Sequence, residues 1–211
     1  MANDYVTVAE IKADMPDSDI GSLSDYDAVI SEMISSASRL IDREVGGWPG
    51  YFYPSTVDST RYFDGSGDVE QWVDPMVSLT SISVSESGGR ASTSYTDWTE
   101  NTDYYTWPYN TTDTGDPIEK LIVDNDAGSK GNFADVSKGV KVTGVFGYSA
   151  SVPDDITQAV KITVMRWFMR SKQAYQDTSA SERLGQLLYT KSLDPDVVEL
   201  LKPYKVGNLV M

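Results

Sequence analysis

The acidic residues Asp124, Asp126 and Asp135, spread over Asp124-Asn125-Asp126-Ala127-Gly128 and the end of a twelve-residue loop, have a spacing loosely like that of a calcium loop. The glycine falls one position early and the bidentate glutamate is missing, so an Asx-rich turn accounts for the pattern better. Asp154 and Asp155 offer two carboxylates for acid–base work. Neighbours on a helix point about 100° apart, however, and their place at a helix start explains them as capping residues. The aromatics Tyr95, Trp98, Tyr104, Tyr105, Trp107 and Tyr109 could form a sugar-stacking or protein-docking platform; cross-strand core packing is the reading favoured here. Gly65-Ser66-Gly67 lacks the Lys-Ser/Thr of a nucleotide loop. With no cysteine and no histidine in 211 residues, disulfides, thiolate zinc sites, cysteine nucleophiles and imidazole-based triads are all excluded. No catalytic residue, metal ligand or cofactor site emerges.

What remains is charge and shape. The formal net charge of -15 argues against an electrostatic grip on nucleic acid. No run approaches the ~20 apolar residues of a membrane span, and the start, Met1-Ala2-Asn3-Asp4-Tyr5, has no signal-peptide pattern. A soluble protein made in the cytosol is expected. Arg39 and Arg43, and Arg166 and Arg170, are spaced by four on predicted helices, so each pair lines one face. They could meet carboxylates of an adjacent subunit or form ordinary pairs within the chain.

The elements that must position these groups centre on a predicted helix over 153–171. Pro153 suits its first turn, Asp154 and Asp155 its positive end, and Arg166, Arg170 and Lys172 its negative end. Ile156, Ala159, Val160, Thr163, Val164, Trp167 and Phe168 share one face, and Ile162, Met165 and Met169 form a second stripe nearly opposite, which predicts burial on two sides. Thr7-Val8-Ala9-Glu10 reads as a capping box. A second long helix, over 25–45, carries Tyr26, Val29, Ile30, Met33, Ile34, Ala37, Leu40, Ile41 and Val45 inward, with Ser31, Glu32, Ser35, Ser38, Arg39 and Asp42 outward, and ends at Gly46-Gly47.

Between these helices the pattern turns β-like. Strands are predicted at 60–64 and 69–73, joined by a turn, and at 79–84 with a bulge or bend near Ser81 where the apolar parity slips. Loops with one or two hairpin strands follow over 85–117, then strands at 118–123 and 140–148 around a polar loop. Beyond 172 the chain reads as an arm in which Leu184, Leu187 and Leu188 suggest a helical turn. Asp194-Pro195-Asp196 caps a short helix with Val197, Val198, Leu200 and Leu201, stopped by Pro203. The apolar ending Leu209-Val210-Met211 suits a segment tied down against the body or a partner.

In order along the chain, Tyr5-Val-Thr-Val-Ala-Glu-Ile-Lys12, Ile34-Ser-Ser-Ala-Ser-Arg-Leu-Ile-Asp-Arg43, Thr60-Arg-Tyr-Phe-Asp-Gly65, Asp103-Tyr-Tyr-Thr-Trp-Pro-Tyr-Asn110, Val142-Thr-Gly-Val-Phe-Gly-Tyr148, Val152-Pro-Asp-Asp-Ile-Thr-Gln-Ala159 and Asp194-Pro-Asp-Val-Val-Glu-Leu-Leu-Lys-Pro-Tyr-Lys205 together resemble the head–tail connector, or head-completion adaptor, family of tailed bacteriophages. Two features depart from that pattern: the long section from Ser85 to Pro117 and the six residues after Lys205. The resemblance implies an α+β fold: a small helical bundle, helix 153–171 packed on helix 25–45, with an inserted antiparallel sheet domain and an extended C-terminal arm. The expected division is 1–50 as N-terminal helices, 51–150 as the β-rich insertion, 151–172 as the central helix and 173–211 as the arm. It implies a non-enzymatic virion protein forming a ring of twelve subunits beneath the portal protein. Such a ring extends the channel through which double-stranded DNA passes and receives a downstream neck or tail-completion protein. Docking onto the portal or a neighbour falls to Leu200, Leu201, Pro203, Tyr204, Lys205, Leu209, Val210 and Met211, and carboxylates lining the channel would let DNA slide. The rival reading is an acidic β-rich carbohydrate- or calcium-binding module built on the 95–109 aromatics and Asp124, Asp126 and Asp135.

Overall fold

The computed structural model describes residues 3–15, 24–53, 56–87, 94–126, 128–172, 178–180, 187–189 and 193–205. The fold is α+β. The chain divides into two compact units, one from Met1–Phe52 and Val152–Met211, the other from Tyr53–Ser151.

The first unit is helical. Helix α1 (Val8–Ala13) opens with a complete capping box, in which the Thr7 hydroxyl accepts from the Glu10 amide and the Glu10 carboxylate accepts from the Thr7 amide at 2.7 Å. Helix α2 (Asp27–Val45) ends at Gly46, whose φ of 83° is the left-handed conformation glycine adopts without a Cβ clash. The Gly47 amide then closes the turn on the Asp42 carbonyl at 2.8 Å, in a Schellman arrangement. Ile30, Met33, Ile34, Ala37, Ile41 and Val45 of α2 are buried, as are Ile156, Ala159, Val160, Val164 and Phe168 of the helix Asp154–Lys172 that packs on it. Each large side chain so buried is worth roughly 1.5–3 kcal/mol before chain entropy is subtracted. Tyr26 meets Phe168 edge-on at 5.4 Å, and Lys12 pairs with Asp27 and Lys161 with Asp14 at 2.8 and 2.7 Å.

Two helical expectations need correction. The long C-terminal helix is buried on one side only: Ile162 and Met165 are half-buried and Met169 is 54% exposed. Ser38 and Asp42, assigned to the outer face of α2, are buried, because the segments before α1 and after α2 supply hydrogen-bond partners for them.

The second unit is a six-stranded antiparallel sheet in the order β1 (Ser59–Phe63), β6 (Val140–Phe146), β2 (Glu70–Val84), β5 (Ile118–Val123), β4 (Tyr104–Trp107), with β3 (Thr96–Trp98) also on β2. The predicted 69–73 and 79–84 strands are one strand, β2, which runs through Pro75. Proline is tolerated because its carbonyl accepts from the Gly147 amide at 2.9 Å, just past the end of β6 at Phe146, so the missing N–H on the same side falls beyond the β2–β6 ladder. β1 pairs with β6 rather than forming a hairpin with β2. The parity slip near Ser81 is a register shift between Leu79 and Ser81 against β6. Gly144 of β6 lies so close to β2 that a Cβ there would sit 2.3 Å from the Ser78 carbonyl oxygen.

A four-residue helix, α3 (Thr111–Thr114), follows β4. The long helix Asp154–Lys172 is α4 and the short helix Pro195–Leu201 is α5. In the arm, Leu187 and Leu188 belong to a strand, β8 (Leu187–Tyr189), paired with β7 (Thr178–Ala180), and not to a helical turn; Leu184 lies outside the described residues.

Candidate assembly surfaces

The residues before α1 are fixed to α2 through one buried carboxylate. Tyr5 donates its hydroxyl to Asp42 and accepts from the Phe52 amide at 3.2 Å, while the Gly50 amide donates to the other Asp42 oxygen at 3.1 Å. The Tyr5 amide donates to the Ser38 hydroxyl at 3.2 Å. Burial, with Asp42 beside it, pushes the Tyr5 phenol well above its usual range. Burial also raises Asp42, against the pull of the Tyr5, Gly50 and Arg39 donors.

Arg39 belongs to this network. It donates to the Asn3 carbonyl at 2.6 Å, approaches Asp42 at 3.3 Å and stands 5.6 Å from the Tyr5 ring centroid. Arg166 is also committed within the chain, to Asp194 at 2.7 Å. Asp194 caps α5 as well, accepting from the Asp196 amide at 3.0 Å. Arg43 is exposed. Arg170 lines a groove of about 370 Å³ between α2 and α4 with Val29, Glu32, Met33, Ser36 and Trp167.

The C-terminal residues expected to dock divide by accessibility. Leu201 is buried and Leu200 half-buried. Tyr204 is half-buried, edge-on to Phe52 at 5.6 Å, with its hydroxyl donating to Asp155 at 3.2 Å. Pro203 and Lys205 are exposed. Leu209, Val210 and Met211 lie outside the described residues. Asp154 and Asp155 are exposed first-turn residues of α4.

On the sheet, the aromatics of 95–109 are distributed rather than gathered. Tyr104 is buried; Trp98 stacks on the buried Phe133 at 5.0 Å; Tyr95 meets Tyr62 at 6.3 Å; Tyr105 meets Tyr109 at 6.0 Å. Trp107 belongs to a cross-strand row that needs the register to be seen. Trp72 of β2 lies opposite Lys120 of β5, which lies opposite Trp107 of β4. The ammonium is 5.1 and 4.9 Å from the two ring centroids and 2.9 Å from Glu70. Trp72 remains 44% exposed. Asp124 and Asp126 form an Asx turn, with the Asp126 amide donating to the Asp124 carboxylate at 2.9 Å. Among the described residues no three acidic side chains are grouped to hold a metal, and no helix is long and apolar enough to cross a membrane.

No protein-family model and no curated protein matches this chain. Among solved structures it is similar to a chain of the virion of a native gene transfer agent particle, at 16% identity and a TM-score of 0.53, with 98% of this chain and 92% of that one covered. It is also similar to a chain of the neck of a native gene transfer agent particle computed with C12 symmetry, at 15% identity and a TM-score of 0.46, covering 100% and 97%. The virion chain establishes a shared fold over nearly the whole length: a helical unit whose sequence is interrupted by an antiparallel sheet.

Proposed function

We propose that this chain is a non-enzymatic structural protein of a phage-like particle, an adaptor in the neck that assembles as a ring on the portal protein and receives a downstream completion protein. The observation that carries this reading is the fold shared with a virion chain over 98% of the present chain. The order of sequence motifs supports it independently, and so does the exposure of Val29, Met169 and Val198 on the helical unit, since apolar side chains left in water favour association.

In a ring each subunit presents two different surfaces to its neighbours. Arg39 and Arg166 pair within the chain, so a basic contact to a neighbour falls first to the exposed Arg43, and docking beyond the ring to Pro203, Lys205 and the residues after them. The acidic charge keeps DNA passing through the ring from adhering.

The test is the mass in solution by light scattering on a sizing column, alone and mixed with the portal protein of the same particle. A ring-sized species, alone or only with portal, is expected. A monomer indifferent to portal across a range of salt would sink the proposal.

A further inference from the structure

Among the described residues the sheet contains a gap. β5 follows β2 as far as the pair Ile118–Met76, and β3 takes up the same edge of β2 only at the pair Trp98–Ile82. Between them Val77, Ser78, Leu79, Thr80 and Ser81 have β6 on one side and, among the described residues, no strand on the other. Two register shifts against β6, at Met76/Ser78 and at Leu79/Ser81, bend β2 here, so the open edge is shorter than the roughly 17 Å that five regular strand residues would span. A cleft of about 720 Å³ lies against this edge, with Val77, Ser78, Leu79 and Ile118 along it and Glu100, Asn101, Tyr105 and Tyr109 among its other walls.

We propose that this cleft receives an extended segment of a partner protein carrying arginine or lysine, added to β2 as a short strand between β5 and β3. An unpaired strand edge offers N–H and C=O groups in the one geometry that an extended backbone satisfies. The charge of the occupant follows from the walls. Among the described residues Glu100 is the one ionisable carboxylate lining the cleft, and no lysine or arginine lines it. Tyr105 and Tyr109, inclined at 59° to each other, present ring faces suited to a guanidinium or the stem of a lysine. Tyr109 is 65% exposed and so available to a ligand. This site stands on the β unit alone and is independent of the neck assignment.

Hydrogen exchange of the full chain tests it, using an end-capped heptapeptide of alternating arginine and threonine as probe. Millimolar peptide is expected to slow the amides of Val77–Ser81 that face the gap by about tenfold. The same peptide N-methylated at alternate residues, which cannot complete the ladder, should have no effect. Glu100→Lys, an exposed position, should transfer the preference to a glutamate–threonine peptide. Absence of slowing, or equal slowing by the N-methylated peptide, overturns the proposal. So does perturbation of Tyr105 and Tyr109 by chitotriose while the peptide leaves 77–81 unchanged, an outcome that assigns the cleft to a sugar.

Discussion

The Tyr5 hydroxyl and the Asp42 carboxylate are hydrogen-bonded inside the helical unit, and through them the Phe52 and Gly50 amides are satisfied as well. Tyr5→Phe removes the hydroxyl while keeping the ring that stands edge-on to Phe52 at 5.8 Å. It leaves a buried amide and a carboxylate oxygen each short of a partner, so a loss of about 2 kcal/mol is expected in denaturant unfolding. An unchanged midpoint would show that water replaces the hydroxyl.

Acid and base act on this unit in opposite senses. Burial raises Asp42 above its ordinary 3.8, so its contribution is fully present below that value and declines as pH rises through the folded-state pKa. The Thr7 hydroxyl, then the Thr7 amide, lower Glu10 below its ordinary 4.5. Its contribution is present above 4.5 and is lost as pH falls through the lowered pKa. Asp42→Asn should therefore flatten the decline on the rising side, and Thr7→Ala the loss on the acid side, in unfolding curves recorded across pH. Identical profiles in parent and variants would contradict both assignments.

Lys120 stands beside two indole rings, which meet each other edge-on at 6.4 Å, and pairs with Glu70 with little exposure to solvent. Lys120→Ala should cost about 1–2 kcal/mol and alter tryptophan emission as Trp72 and Trp107 lose the ammonium. Emission unchanged at all salt concentrations would mean that the cation does not sit against the rings in solution.

Gly144→Ala brings a methyl group against the Ser78 carbonyl. The β2–β6 ladder must spread, at about 2–3 kcal/mol. Circular dichroism should show the loss in the strand signal, with the helical signal retained.

Asp194→Ala removes both the cap of α5 and the partner of Arg166, at about 1–2 kcal/mol. If the C-terminal region docks onto portal, recovery of a ring-sized species with portal should fall more steeply than thermal stability does. Parallel declines would place the docking elsewhere.

Much of the helical unit is legible in the sequence because its signals are local. A capping box, a glycine stop and a 3.6-residue apolar period each lie within a few residues of what they specify. Ser38 and Asp42 are misread for the same reason: their polarity implies water, and their partners are 33 and 37 residues away in sequence at Tyr5. In the sheet, the slip near Ser81 shows in the parity of Leu79 and Ile82, but the continuity of β2 through Pro75 does not, because it depends on where β5 stops pairing. The Trp72, Lys120 and Trp107 row is invisible without the register. The edge at Val77–Ser81, beside which no strand lies among the described residues, depends on where β5 and β3 pair with β2, which a linear pattern cannot express.

The interruption of the helical unit by the sheet also orders events during synthesis. α2 is complete at Val45, yet the helix that covers its apolar face begins only at Asp154. A ribosome adding ~5–20 residues per second leaves Ile30, Ile34 and Ile41 without their mate for several seconds or more. Every strand of the sheet emerges in that interval. The inserted unit is therefore the first that can close, and the helices that bracket it in sequence become one body last.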